Sequence, residues 1–203
     1  MKYVLGIILA AVVIGGIAGA VHLYRVSAKN KKEMAQYANK SAEVTNNLGK
    51  VLVVYYSLTG HTKDIAEKIA AKTNADMFEI KTKEPYPEGA KLYTTSKKEI
   101  KNKQYPAVEA LPNIADYDVI FVGAPVWWYT MAPPLFTVLG QVDFQGKKVV
   151  PFSTQGSNVG TFFEDFAAAA KNATVLQHAD FNNIDKKYDK QVEAKIADWI
   201  NGL

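Results

Sequence analysis

Ser57-Leu58-Thr59-Gly60-His61-Thr62 places three hydroxyls and a glycine between an apolar run and a helical pattern. A loop of this kind, joining the C-terminal end of a strand to a helix, offers free backbone N–H groups and the positive end of the helix dipole. Ser57, Thr59 and Thr62 add neutral donors, and Gly60 lets the backbone bend and approach a ligand closely. No lysine or arginine lies inside the loop. That suits a buried phosphate monoester held by neutral groups. The G-x-G-x-x-G spacing of a dinucleotide loop is absent, and no Gly-Lys-Ser/Thr of a P-loop follows. Read alone, the segment also fits a Ser/Thr-rich turn that merely caps a helix. His61 either donates to an oxygen or faces solvent with only its backbone N–H used; the second is favoured.

Two further segments carry chemistry. Gly123-Ala124-Pro125-Val126-Trp127-Trp128-Tyr129 ends in three adjacent aromatics. Three such rings at a strand end do not all enter one core, and a flat aromatic cofactor stacks on rings of this kind. An interface or lid patch is the competing reading. Ser153-Thr154-Gln155-Gly156-Ser157-Asn158-Val159-Gly160 is small and polar, with N–H groups suited to the polar edge of such a ring.

These segments need a scaffold, and residues 50–203 supply one. Val51-Leu52-Val53-Val54-Tyr55, Val119-Ile120-Phe121-Val122 and Val149-Val150-Pro151-Phe152 are continuous apolar runs, as in parallel strands buried on both faces. Met77-Phe78-Glu79-Ile80 and Thr174 to Gln177 are shorter strand candidates. Between them, Thr62–Thr73, Leu92–Ile100, Pro133–Leu139, a segment opening at Thr161 and Lys186–Leu203 show helical spacing. Thr161 and Glu164 fit a capping box. Five strands alternating with helices predict an α/β, doubly wound parallel sheet, for which 2-1-3-4-5 is one strand order. All three loops would then emerge on one sheet edge.

The first 49 residues differ in kind. Tyr3 to Tyr24 lacks charge, which predicts a transmembrane helix in residues 1–25, or an uncleaved signal, followed by a tether over 26–49. Arg25, Lys29, Lys31 and Lys32 follow the span, predicting a single-pass cell-membrane protein with residues 50–203 cytoplasmic. Cleavage at Ala18-Gly19-Ala20 is the rival expectation and would make the domain secreted or extracytoplasmic. The net charge of +4 resides here: residues 1–49 hold six basic and two acidic side chains, residues 50–203 eighteen of each. A neutral body gives no reason to expect a nucleic-acid partner. No cysteine is present, so disulfides, thiolate nucleophiles and iron–sulfur ligation are excluded. Three scattered histidines make no zinc set, and no catalytic triad pattern occurs. Lys97, Lys98, Lys101 and Lys103 read as a solvated helix face in preference to a lipid contact.

Ser57 to Thr62, with its S/T-x-T-G-x-T pattern, resembles the flavodoxin phosphate loop. Gly123 to Trp128, Phe144-Gln145-Gly146-Lys147-Lys148-Val149, Pro151-Phe152-Ser153-Thr154 and Glu84-Pro85-Tyr86-Pro87 are similar to a bacterial flavodoxin-like family with a Pro-Val-Trp-Trp loop. The resemblance covers about residues 50–203. It implies an FMN-binding redox protein with strand order 2-1-3-4-5. By position it implies that Ser57, Leu58, Thr59, Gly60, His61 and Thr62 hold the phosphate. Pro125, Val126, Trp127, Trp128 and Tyr129 would flank the ring, and Thr154, Gly156 and Ser157 would line its polar edge. Soluble carriers of that family are usually acidic, whereas this body is neutral.

The leading functional expectation is therefore electron transfer by FMN at the membrane, with a redox protein or a quinone as partner. An FMN-dependent NAD(P)H:quinone-type reductase is the alternative. A membrane-tethered interaction module without FMN is the alternative of another class. Residues 124–142 and 153–163 contain no Asp or Glu, so little repulsion would oppose a reduced, anionic flavin. That favours two-electron over one-electron transfer.

Overall fold

The computed structural model describes residues 2–183 and 186–203, with side chains from Val12 onward. The body opens with β1 (Val51–Tyr55), all five residues of which are buried. It continues through α2 (His61–Thr73), β2 (Asp76–Glu79), α3 (Ala90–Asn102), β3 (Val119–Trp127), β4 (Thr130–Met131) and α4 (Pro133–Gln141). Then follow β5 (Lys148–Gln155), α5 (Phe162–Ala169), β6 (Thr174–Val175), β7 (Ala179–Asn182), a 3-10 turn and α6 (Asp189–Asn201). Ahead of them all runs α1 (Lys2–Ala35).

The sheet has seven strands, not the expected five. The parallel order β2-β1-β3-β5-β6 occupies the five positions of a 2-1-3-4-5 sheet. One added strand, β4, folds back antiparallel on the end of β3, pairing Val126 with Met131 and Trp127 with Thr130. The other arises because the fifth position is split. Lys148 and Val149 pair with Thr174 and Val175, but Phe152 pairs with Ala179. The partner strand therefore carries one residue more than β5 between these pairings, as in a bulge. Trp199 Nε1 donates to the Gln177 carbonyl inside the break, at 2.9 Å.

Side chains alternate across the sheet, so each strand feeds two cores. Leu52, Val54, Ile120, Val122 and Val149 face one layer with Leu135, Val138, Phe162 and Phe166 of α4 and α5. Val51, Val53, Tyr55, Phe121 and Phe152 face the other, with Ile65 and Ile69 of α2 and Val192, Ile196 and Ile200 of α6. Phe121, Phe152, Phe162 and Phe166 are fully buried, each contributing about 1.5–3 kcal/mol through burial. Gly123 sits opposite Phe152, and a Cβ there would overlap that ring.

The expectation of a transmembrane helix, and of a single-pass place in the cell membrane, is overturned. Among the described residues, no helix is long and apolar enough to cross a membrane. The helix does not stop at Tyr24. It runs on through Arg25, Lys29, Lys31, Lys32 and Glu33 to Ala35. The side chain of Tyr3, expected at one interface, lies outside the described residues. At its far end α1 docks on the body. Met34 is 1% exposed in the α2/α6 core, and Glu33 Oε1 lies 2.5 Å from Lys195 Nζ. The segment after it is also held. Asn201 Oδ1 accepts from the Thr45 N–H at 2.8 Å, Asn201 Nδ2 donates to the Glu43 carbonyl at 3.0 Å, and Lys40 pairs with Asp198.

Candidate functional site

A cleft of about 470 Å3 opens at the C-terminal edge of the sheet, at β1, β3 and β5. This is the ligand-binding edge of an open α/β sheet. It unites the three loops. Leu58, Thr59, His61 and Thr62 line it from the first, Pro125 to Tyr129 from the second, and Thr154, Gly156 and Ser157 from the third. Ser57 and Gly60, of the same first loop, are not among the lining residues.

The chemistry of this loop is the most telling. Gly60 caps the start of α2 in the left-handed conformation, φ 90°, with no side chain capping the helix. A Cβ at Gly60 would meet nothing within 4 Å, so the glycine is required by its backbone angle, not by crowding. The first-turn N–H groups thus begin beneath an open surface. Ser57 Oγ is buried and has no hydrogen-bond partner. An orphaned buried hydroxyl is costly, about 1–3 kcal/mol, unless a ligand satisfies it. Thr62 Oγ1 and Thr154 Oγ1 share a 2.8 Å hydrogen bond, which ties the first loop to the third. Thr161 does not form the expected capping box. Its Oγ1 donates instead to Asp165 Oδ2 at 2.6 Å.

The aromatic wall is a tight hairpin. Trp128 and Tyr129, between β3 and β4, both have positive φ, 53° and 65°. Two left-handed residues in a two-residue loop make a I′-type hairpin, normally Asn-Gly or Gly-Gly. Two aromatics there carry strain, held from outside. Thr161 N–H donates to the Tyr129 carbonyl at 2.7 Å, and any Cβ at Gly160 would overlap that carbonyl oxygen. Trp128 Nε1 donates to Ser96 Oγ at 3.0 Å, and Ser96 Oγ donates to the Leu92 carbonyl at 2.7 Å. Lys97 Nζ sits 5.0 Å from the centre of the Trp128 ring.

Trp127 turns the other way, edge-on to Tyr56 and Tyr86 at 5.8 and 5.2 Å. Tyr86 OH donates to Glu99 Oε2 at 2.7 Å. Burial pushes the Tyr56 and Tyr86 phenols far above their usual range; at Tyr86 the hydrogen bond to Glu99 adds to it. Burial also raises the Glu99 carboxyl, opposed by the Tyr86 bond. None of the lining residues of the cleft is Asp or Glu.

Leu92, Tyr93, Ser96 and Asn183 line the cleft unanticipated, and Gln155 and Asn158 join them from the polar loop already singled out, though neither was named as a contact. Leu92 and Ser96 are spaced for one helical face, but nothing local says that α3 folds over the cleft. Gln155 is buried, accepting from Ser153 Oγ and donating to Asp180 Oδ2. The Asn183 N–H donates to the Gln155 carbonyl at 2.7 Å.

The molecule is similar to several known proteins. A flavoprotein from Lactobacillus acidophilus, solved in complex with FMN, superposes with TM-score 0.59 at 28% identity, covering 70% of this chain and 97% of that one. A chain from Bacteroides eggerthii described as a flavoprotein gives 0.66 at 29%, covering 75% and 96%. Among curated relatives, an NAD(P)H dehydrogenase (quinone) from Caulobacter vibrioides is 37% identical over 87 residues, 42% of each chain. One of the same name from Cupriavidus metallidurans is 30% identical over 94 residues, 46% of this chain and 47% of that one. The chain spans less than half the length of these curated relatives. The family model for flavodoxin matches residues 50–202, most of the chain, and the protein belongs to that family.

Proposed function

We propose that this protein binds FMN in the cleft and works as an electron-transfer flavoprotein. FMN is the cofactor on which the family and the cleft agree. The observation that carries the reading is the orphaned Ser57 Oγ beside the uncapped start of α2. A phosphate monoester satisfies both at once. The FMN-free interaction module loses ground for the same reason, since it would keep an unsatisfied buried hydroxyl for nothing.

When bound, FMN supplies the redox chemistry, exchanging one or two electrons. The chain does the rest. Ser57, Thr59 and the N–H groups of Gly60, His61 and Thr62 hold the phosphate. Thr154, Gly156 and Ser157 present small polar groups at the polar edge of the ring. Pro125, Val126, Trp127, Trp128 and Tyr129 exclude water around its flat faces.

A second reading, a two-electron reductase using a quinone-type acceptor, is favoured by the cleft wall without carboxylates. No lining carboxylate among the described residues disfavours the fully reduced, anionic cofactor. Purified protein should be yellow, with flavin absorption that bleaches on reduction. Ser57→Ala should release the colour on dialysis. Colourless protein that also fails to take up added FMN would end both readings.

A further inference from the structure

The α3 side of the cleft is rich in lysine. The segment 81–103 carries seven lysines against three glutamates, within a body that is neutral overall. Of those glutamates, Glu99 is turned inward onto Tyr86, and Glu84 and Glu88 precede α3. Lys91, Lys97, Lys98, Lys101 and Lys103 are all exposed, and none of them makes an ion pair among the described residues. Tyr93, Lys97 and Lys101 recur every four residues, so they form one stripe along α3. That stripe borders the hairpin tip. Tyr93 meets the Trp128 ring edge-on at 6.3 Å, and Lys97 lies over it.

The tip itself is exposed: Trp128 is 40% and Tyr129 66% accessible, and Tyr93 beside them 64%. It stands between two hollows. On one side is the cofactor cleft. On the other is a groove of about 510 Å3 that shares Trp128 and Tyr129 and includes Ile100, Lys103, Tyr105 and Phe136. Asp165, the acid in that groove, already accepts from the Thr130 and Thr161 hydroxyls. Exposed Trp and Tyr ringed by cations is the composition of a protein-binding centre with a steering rim.

From this patch we infer that the α3 lysine stripe and the Trp128–Tyr129 tip form the docking face for an acidic electron-transfer protein. The inference rests on the electron-transfer reading above. The extent of the charge favours a protein over a small anion: Lys91 to Lys103 spans about 18 Å of helix at 1.5 Å per residue, far beyond one phosphate group. Placing the contact beside the cleft puts the partner's redox centre next to the cofactor wall. Each electron passed then oxidises the reduced cofactor by one equivalent and reduces one partner centre by one.

The test uses the full chain loaded with FMN and 15N-labelled, titrated at about 0.01 M salt, where surface charges act over roughly 30 Å. The probes are a small acidic [2Fe–2S] protein, a basic c-type cytochrome, and vesicles of phosphatidylglycerol and phosphatidylcholine. The acidic protein should bind, shifting amides of residues 91–103 and 128–129 together with the Trp128 indole. Raising salt to about 0.15 M should weaken it at least tenfold. Lys98→Glu with Lys101→Glu should weaken it at least tenfold, with flavin absorbance and melting temperature unchanged, and arginine at both positions should restore it. The cytochrome should leave these signals still. Three outcomes overturn the docking face: no binding of the acidic protein, shifts elsewhere, or tighter vesicle binding at the same residues. Failure to retain FMN is read separately from the flavin absorbance, and it strikes the electron-transfer reading instead.

Discussion

The two ends of the cleft are built on opposite plans. At the Ser57–Thr62 end the groups offered to a ligand are neutral, the loop is exposed from Leu58 to His61, and its base is locked by the Thr62–Thr154 hydrogen bond. At the Trp128–Tyr129 end they are aromatic, exposed, strained at two consecutive residues and overlooked by Lys97. One end is suited to keep a cofactor by hydrogen bonds that bulk salt barely reaches. The other is suited to meet something that comes and goes, through contacts that salt weakens. Neutral donors suffice at the first end because the helix start already supplies the positive potential.

The largest expected effect tests the first plan. Ser57→Ala combined with Thr59→Val should weaken FMN binding by about 3–6 kcal/mol, at about 1.5–3 for each hydrogen bond to a charged group. Thr62 is left alone because its hydroxyl is already shared with Thr154. Fluorescence titration of the apoprotein measures this, and an affinity within threefold of the parent would break the contrast at its stronger pole. Next comes the strained end. Gly160→Ala forces a Cβ into the Tyr129 carbonyl at a positive φ. It should cost about 1–3 kcal/mol of stability, in the range of ordinary destabilising substitutions, and its melting curve should fall accordingly. Unchanged melting would mean that Gly160 does not hold the tip.

A smaller effect sharpens the same end. Ser96→Ala removes the acceptor of the Trp128 indole and should cost about 0.5–1.5 kcal/mol, seen as a shift in the Trp128 side-chain resonance and in melting. The smallest effect depends on pH and concerns Glu99, the acceptor of the Tyr86 phenol. Burial raises its carboxyl above the ordinary value of 4.5, so the folded state holds the proton longer than the unfolded chain does. Its contribution to stability is therefore full below that ordinary value and is lost as pH rises through the raised one. Glu99→Gln should flatten this part of the stability–pH curve while keeping an acceptor for Tyr86. A curve of unchanged slope would place the titration elsewhere.

Much of this was legible in the residues. The parallel strands announced themselves because burial on both faces demands continuous apolar runs, as in Val51 to Tyr55. The three loops were legible because each follows such a run. The last strand was not, because Ala179-Asp180-Phe181-Asn182 alternates with polar residues. Their polarity is met only by distant partners, Gln155 for Asp180 and Glu33 for Asn182. No local pattern encodes those partners, nor the one-residue slip that sets them in register. Asn183 and the α3 residues of the cleft escaped for the same reason: their places are set by tertiary packing. Tyr3 to Tyr24 misled in the opposite sense. Its composition matches that of a span, while the fate of the helix is decided further on, at Glu33 and Met34.

Glu33 has one more consequence, and it concerns where the chain can be cut. The family match begins at Lys50, which invites trimming there. A chain starting at Lys50 would remove the carboxylate facing Lys195, whose side chain is only 10% exposed. The ammonium would keep the Asp180 carbonyl as its acceptor, but it would lose its counter-ion. The place that Met34 fills in the core shared with α2 and α6 would open. Asn182 would also lose its bond to Glu33, and the next residue, Asn183, lines the cleft. Trimming at a homology boundary would then reach the cleft proposed for FMN through a helix that does not line it.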